Sequence, residues 1–127
     1  VGWANRPNGP KLAKGGETVR EQDLQNHIRV ALSEIAVVFR TNVGKVRMSD
    51  GRFFDTGLPK GHPDLYGFRK SDGRLFYVEV KTASGRLRAD QKKFLTFAAD
   101  YGIICGVARS VEDALHIVGD GKVLYGV

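Results

Sequence analysis

The chain contains a single cysteine, a single methionine, a single tryptophan and four prolines in 127 residues, and no apolar run near the ~20 residues that a bilayer span requires. A lone thiol, Cys105, excludes an internal disulfide framework and a cysteine-built zinc cluster. It sits in the run Ile103-Ile104-Cys105-Gly106-Val107, where a small core residue is the ordinary use of cysteine. Histidine is scarce as well. His27, His62 and His116 lack a ligand spacing such as His-x-x-x-His, which argues against a zinc site. The first residues lack the charged-then-apolar layout of a secretory leader, so a reducing, cytoplasmic setting with no membrane partner is expected. Acidic side chains are outnumbered, 14 Asp+Glu against 20 Lys+Arg, for a formal charge of +6. That balance suits a polyanionic partner, nucleic acid or an acidic membrane surface, without choosing between them.

What is present is enough for one core: 42% of the residues are hydrophobic, in a length that suits one domain rather than two. Residues 1–16 carry six Gly and Pro with Arg6, Lys11 and Lys14 and show no periodicity, which reads as a flexible basic arm. Residues 17–127 read as a single domain. Leu24, Ile28, Ala31, Leu32 and Ile35 recur at helical spacing behind Thr18-x-x-Glu21, predicting a helix over about Val19 to Ile35 with Glu21 as a capping-box partner. A strand is predicted over Ala36 to Arg40. The Gly-rich stretch from Asn42 to Pro63 is a long connection, functional or partly a hairpin. Strands over Asp64 to Phe68 and Leu75 to Lys81 flank the turn Lys70-Ser71-Asp72-Gly73. A helix from Ala89 to Tyr101 closes at Gly102, a strand follows over Ile103 to Ala108, and Ser110 opens a short helix through Val118. The order α-β-β-β-α-β-α is that of a mixed α/β sandwich.

The hairpin carries the chemistry. Asp64 and Glu79 are nearly symmetric about the Ser71-Asp72 turn, so pairing brings the two carboxylates together. Two such groups on adjacent strand ends can share a divalent cation, and Mg²⁺ suits them because it needs few protein ligands beside water and phosphate. Alternation sends Tyr77, Glu79 and Lys81 to one face, so Lys81 can hold an attacking water or neutralise charge on a phosphoryl group. The backbone carbonyl of Val80 is a further candidate ligand. Glu-x-Lys alone is equally the mark of a solvated strand face. Pro63-Asp64 is harder to explain that way, because Asp is a poor β-former at the start of a strand. Gln91, one turn before Phe94 and Leu95, can face the same place. Lys60, Arg69, Arg86, Arg88, Lys92 and Lys93 cluster in sequence around these strands as candidate phosphate contacts, with His62 beside them.

Taken together, Gly61-His62-Pro63-Asp64-Leu65-Tyr66-Gly67, Tyr77-Val78-Glu79-Val80-Lys81-Thr82 and Gly85-Arg86-Leu87-Arg88-Ala89-Asp90-Gln91-Lys92 resemble the VRR-NUC branch of the PD-(D/E)XK nucleases. The resemblance spans roughly Glu17 to Val118. It implies a restriction-endonuclease-like mixed sheet flanked by helices, with Asp64, Glu79 and Lys81 catalytic and Gln91 beside them. Further implications are Mg²⁺ or Mn²⁺ dependence and hydrolysis of DNA phosphodiesters. Stand-alone members of this length are similar to phage and bacterial proteins that cut branched, Holliday-junction-like DNA as homodimers in repair, recombination or phage replication. The helix opening departs from the family's Ser-Pro-x-Gln pattern, having Arg88-Ala89-Asp90-Gln91 instead. A metal-associated glutamate on the first helix is common in such proteins, so Glu21 has two readings, ligand and cap. At this point a catalytically silent DNA-binding module, a flap or nicking enzyme and a site-specific restriction enzyme stay open. The last would need recognition elements for which the chain has little room.

Overall fold

The computed structural model describes residues 20–127. The expected basic arm over residues 1–16, and Thr18 of the expected capping box, lie outside them. The first helix, α1, runs over Glu21–Leu32, and the strand β1 over Ala36–Arg40. Two short strands, β2 (Lys45–Arg47) and β3 (Phe53–Asp55), follow, then β4 (Leu65–Arg69) and β5 (Leu75–Val80). The helix α2 (Ala89–Asp100), the strand β6 (Ile104–Ala108) and the helix α3 (Val111–Gly119) complete the order. The mixed α/β arrangement is the expected one, with an added β2–β3 hairpin in the Gly-rich connection.

Two boundaries differ for physical reasons. α1 begins at Glu21 with Arg20 as its cap residue and no side-chain cap, so Glu21 occupies the first helical position, not the third that a capping box needs. Its far end stops at Leu32, because the Ile35 carbonyl already accepts from the Lys70 N–H as an extension of the sheet. α2 and α3 end and begin as the sequence implies: Gly102 takes φ +72 after the α2 cap, and the Ser110 hydroxyl accepts from the Asp113 N–H at 3.1 Å.

The four long strands form one sheet in the order β1-β4-β5-β6. β4 runs antiparallel to both of its neighbours, β1 and β5, whereas β5 and β6 are parallel and joined through α2. Strand alternation sorts the core into two layers. Phe76, Val78 and Val80 of β5 join Ile104 and Ala108 of β6 beneath Leu24, Ile28 and Leu32 of α1 and Ala114, Ile117 and Val118 of α3. On the other face Cys105 and Val107 pack with Leu95 and Ala98 of α2, Tyr77 lying alongside. Cys105 is thus a core residue whose thiol is pushed up by burial. Each large aliphatic side chain so buried stabilises the fold by about 1.5–3 kcal/mol.

At one end of the sheet, the Asp72 carboxylate accepts from Arg69 and from the Arg74 N–H, which holds its pKa down at about 2. At the edge, the C-terminal segment lies on β6: Val107 N–H donates to the Tyr125 carbonyl (2.8 Å) and Tyr125 N–H to the Cys105 carbonyl (3.1 Å). The two apolar segments Ile103 to Val107 and Val123 to Val127 therefore pair with each other inside one chain. Among the described residues no helix is long and apolar enough to cross a membrane.

β1 and β4 approach so closely that a Cβ on Gly67 would lie 1.8 Å from the Val37 carbonyl oxygen. Gly67→Ala is expected to pry the two strands apart and cost about 3 kcal/mol or more. The urea unfolding midpoint measures it, and an unchanged midpoint would contradict this packing.

Candidate active site

The cleft lies at the end of the sheet where β4 begins and β5 ends. The register Leu65↔Val78, continued outward, sets Asp64 opposite Glu79 and Pro63 opposite Val80. Proline has no N–H to donate to the Val80 carbonyl. The Val80 N–H, which would otherwise seek a backbone acceptor across the ladder, donates instead to Asp64 Oδ2 at 2.9 Å. N–H and C=O of one strand residue point to the same side, so the Val80 carbonyl faces the Asp64 side at a level where the ladder has lost its donor. Asp64 is fixed from its other side as well, its carbonyl accepting from the Thr41 N–H at 2.8 Å.

Glu79 projects from β5 into the cleft but is only 1% exposed. Its Oε2 accepts from the Gln91 amide at 3.2 Å and lies 3.5 Å from Lys81 Nζ. Oε1 is buried without a partner. Burial first, and then Asp64 beside it, raise the Glu79 pKa well above the usual carboxylate range. Glu21, at the open end of α1, faces the same pair. One oxygen from each of Glu21, Asp64 and Glu79 lies within 4.8 Å of the others. Its pKa is also raised, by burial and then by Asp64.

Gln91 is braced at both ends. Its Oε1 accepts from the Arg88 N–H (2.9 Å), closing the first turn of α2, while its amide nitrogen holds Glu79. Gly61 makes that helix start accessible to the loop before Asp64. It takes φ +91, and a Cβ there would lie 2.5 Å from the Asp90 carbonyl oxygen. His62 is packed edge-on among Tyr66, Tyr77 and Phe94. Its Nδ1 lies 2.9 Å from the Pro63 carbonyl and 3.1 Å from the Thr41 hydroxyl. Burial lowers the His62 pKa.

The cleft measures about 260 Å³ and is lined by Glu21, Asp64, Glu79, Lys81, Gln91, Lys60, His62 and Arg88, together with Thr41, Val43 and Gly61. It therefore collects eight of the residues singled out from the sequence. Val80 stands beside the cleft, its N–H on Asp64, and the other four are elsewhere. Lys92 and Lys93 line a shallow groove on the outer face of α2, and Arg86 is exposed in the loop between β5 and α2. Arg69 ends β4 at the opposite end of the sheet, bound to Asp72 and the Val118 carbonyl, and does not reach the cleft. Thr41, Val43 and Gly61 were not anticipated. Thr41 follows directly from β1, so pairing β1 with β4 in the sequence would have found it. Nor was Arg109, which donates to the Thr82 (2.6 Å) and Gly85 (2.7 Å) carbonyls and ties down the loop after Lys81. Its partners are too distant in sequence to leave a local signal.

The donor set fits a divalent cation. Three carboxylates crowd together, one has a buried oxygen with nothing to bind, and a positive charge would relieve both conditions. The fold is of the nuclease type, by the family model that the chain matches. Residues 43–112, more than half of the chain, match the VRR-NUC domain, and the chain belongs to that family. No curated protein matches it. Glu21 and α1 precede the matched residues, so the place of Glu21 rests on the geometry alone.

The raised Glu79 pKa has a consequence for the metal-free protein. A carboxyl whose folded pKa lies above its ordinary 4.5 contributes stability below that value, and the contribution is lost as pH rises through the folded value. Glu79→Gln should therefore melt higher than wild type at about pH 8 in EDTA, and the two should converge near pH 4. A divalent cation should raise the wild-type melting temperature and leave that of the variant almost unmoved. An equal shift in both would remove Glu79 from the ligand set.

Proposed function

We propose that this chain is a Mg²⁺-dependent DNA endonuclease that hydrolyses phosphodiester bonds in branched DNA. The observation that carries the reading is the unpartnered Glu79 oxygen within a three-carboxylate cluster, beside a buried lysine. The donors are hard oxygens, three carboxylates with the Val80 carbonyl beside them, which favours Mg²⁺ or Mn²⁺ over softer metals. A bound Mg²⁺ would polarise the scissile phosphate and acidify a water. Asp64, Glu79 and Glu21 would hold the ion. Lys81, 3.5 Å from Glu79, is placed to orient the attacking water and to offset negative charge that grows on the phosphoryl oxygens. Gln91 is a positioning residue that fixes which Glu79 oxygen is left free. Lys60 and Arg88 at the rim supply phosphate contacts that hold a backbone without reading bases, with Arg86, Lys92 and Lys93 extending the track.

Asp64→Ala and Glu79→Ala should abolish cleavage while DNA binding persists, since each removes a metal ligand and reduces negative charge in the cleft. Lys81→Ala should slow single-turnover cleavage by about 10²–10⁴. Glu21→Gln separates ligand from bystander: lost activity at an unchanged melting temperature supports the ligand role. The assay is a panel of Holliday junction, flap, fork, single-strand and linear duplex DNA with Mg²⁺, Mn²⁺, Ca²⁺ or EDTA. Wild-type rates in Asp64→Ala or Glu79→Ala would sink the assignment.

The proposal includes a homodimer, argued from symmetry: a four-way junction presents two equivalent strands, and a two-fold pair of subunits presents two sites. Because the β6 edge is covered from within the chain, the subunits would meet through another surface. Light scattering with paired-nick analysis on a symmetric junction should find a dimer making coupled cuts. A monomer at micromolar concentration making uncoupled nicks would replace this part with a nicking or flap enzyme.

A further inference from the structure

The β2–β3 hairpin takes no part in the site described above, and its composition is unusual for a segment that packs on neither core layer. It forms a sheet of its own. All three β3 residues are exposed, and Phe53 and Phe54 remain 64% and 57% accessible. Cross-strand pairing sets Arg47 beside Phe53 on one face and Lys45 beside Asp55, with Phe54 on the opposite face. Among the described residues neither Lys45 nor Arg47 makes an ion pair, whereas Arg52 at the tip is held by Asp50. Two rings left in water, one of them beside a cation that makes no ion pair, are costly for a surface with no partner.

The hairpin also has a definite origin. It leaves the cleft rim at Thr41 and Val43 and returns to it at Lys60 and His62. Gly44 and Gly57, at φ +83 and +76, mark its two feet, which the Thr56 N–H closes by donating to the Gly44 carbonyl at 2.9 Å. Whatever the hairpin touches is therefore adjacent to whatever occupies the cleft.

We propose that the β2–β3 hairpin is a stacking finger that engages unpaired bases beside the scissile strand, through Phe53 and Phe54, and grips the adjoining phosphates through Lys45 and Arg47. Bases stack on exposed aromatic rings whatever their sequence, and cations beside the rings track the backbone. In an intact duplex the bases are already stacked on one another, so the rings gain contacts only at a branch, fork or gap. The finger is thus a reader of DNA structure. A second copy of the chain is the less suitable occupant: each copy carries +6, and a two-fold contact through this surface would bring like-charged Lys45 and Arg47 sets together. The inference rests on the nuclease reading and deepens it.

The test is equilibrium binding in EDTA, which separates recognition from cleavage, with a fork carrying unpaired bases and a linear duplex of equal length as probes. Phe53→Leu/Phe54→Leu keeps apolar bulk on an exposed surface and removes the rings. Wild type should bind the fork at least about tenfold more tightly than the duplex, the scale expected of one or two stacked bases. The leucine variant should lose most of that preference while its duplex affinity and melting temperature stay the same. Lys45→Ala/Arg47→Ala should weaken both probes and reduce the salt slope by about two. Retained fork preference in the leucine variant would overturn the finger while leaving the nuclease reading intact. Wild type binding neither probe would overturn both. Dimer dissociation in Phe53→Ser/Phe54→Ser would overturn the finger and assign the surface to a second copy.

Discussion

The site depends on a backbone hydrogen bond that the ladder cannot make. Opposite Val80 stands Pro63, which has no N–H, and the Val80 N–H is satisfied by the side chain of Asp64 at 2.9 Å. A donor at position 63 would occupy the Val80 carbonyl, and a backbone acceptor for the Val80 N–H would leave Asp64 without that anchor. Proline withholds the donor that the Val80 carbonyl would have met, and the neighbouring aspartate gives the Val80 N–H its acceptor from a carboxylate that also belongs to the acidic cluster. The Pro-Asp pair therefore ends the strand and builds the site in one step, which accounts for a poor β-former where a strand begins.

The cluster is held together against its own electrostatics. Three carboxylates within 4.8 Å repel one another, and two of them, Glu79 and Glu21, have raised pKa values for that reason as well as for burial. The surrounding structure over-determines the arrangement. β5 is covered by apolar layers on both faces, Gln91 braces Glu79 from the α2 terminus, and α1 carries Glu21 on a helix anchored by Leu24, Ile28 and Leu32. Cooperative packing in two core layers outweighs a local conflict that is retained at the point where a cation would resolve it.

Much of this was legible in the residues because it is carried by short-range patterns. The symmetry of Asp64 and Glu79 about one turn gave their convergence, and period-2 alternation put Glu79 and Lys81 on the face opposite Phe76, Val78 and Val80. What was not legible depends on partners far along the chain. Thr18-x-x-Glu21 has the spacing of a cap, but Arg20 is extended and takes the cap position, so α1 begins at Glu21. Arg69 follows the charge pattern of the other basic residues, and only the register places it at the far end of the sheet. The Gly-rich connection allowed for a hairpin, but β2 and β3 are three residues each, too short for alternation to place them.

Arg109 draws the two walls of the cleft apart in mechanical character. By gathering the carbonyls of Thr82 and Gly85 it welds the segment after Lys81 to the end of β6, so the wall bearing Lys81, Gln91 and α2 behaves as a fixed jaw. The facing wall is the long excursion between Thr41 and His62, footed on two glycines with open space around them. On the proposed function, adjustment to substrates of different girth would fall to that one jaw, while Lys81 and Gln91 would keep a single alignment.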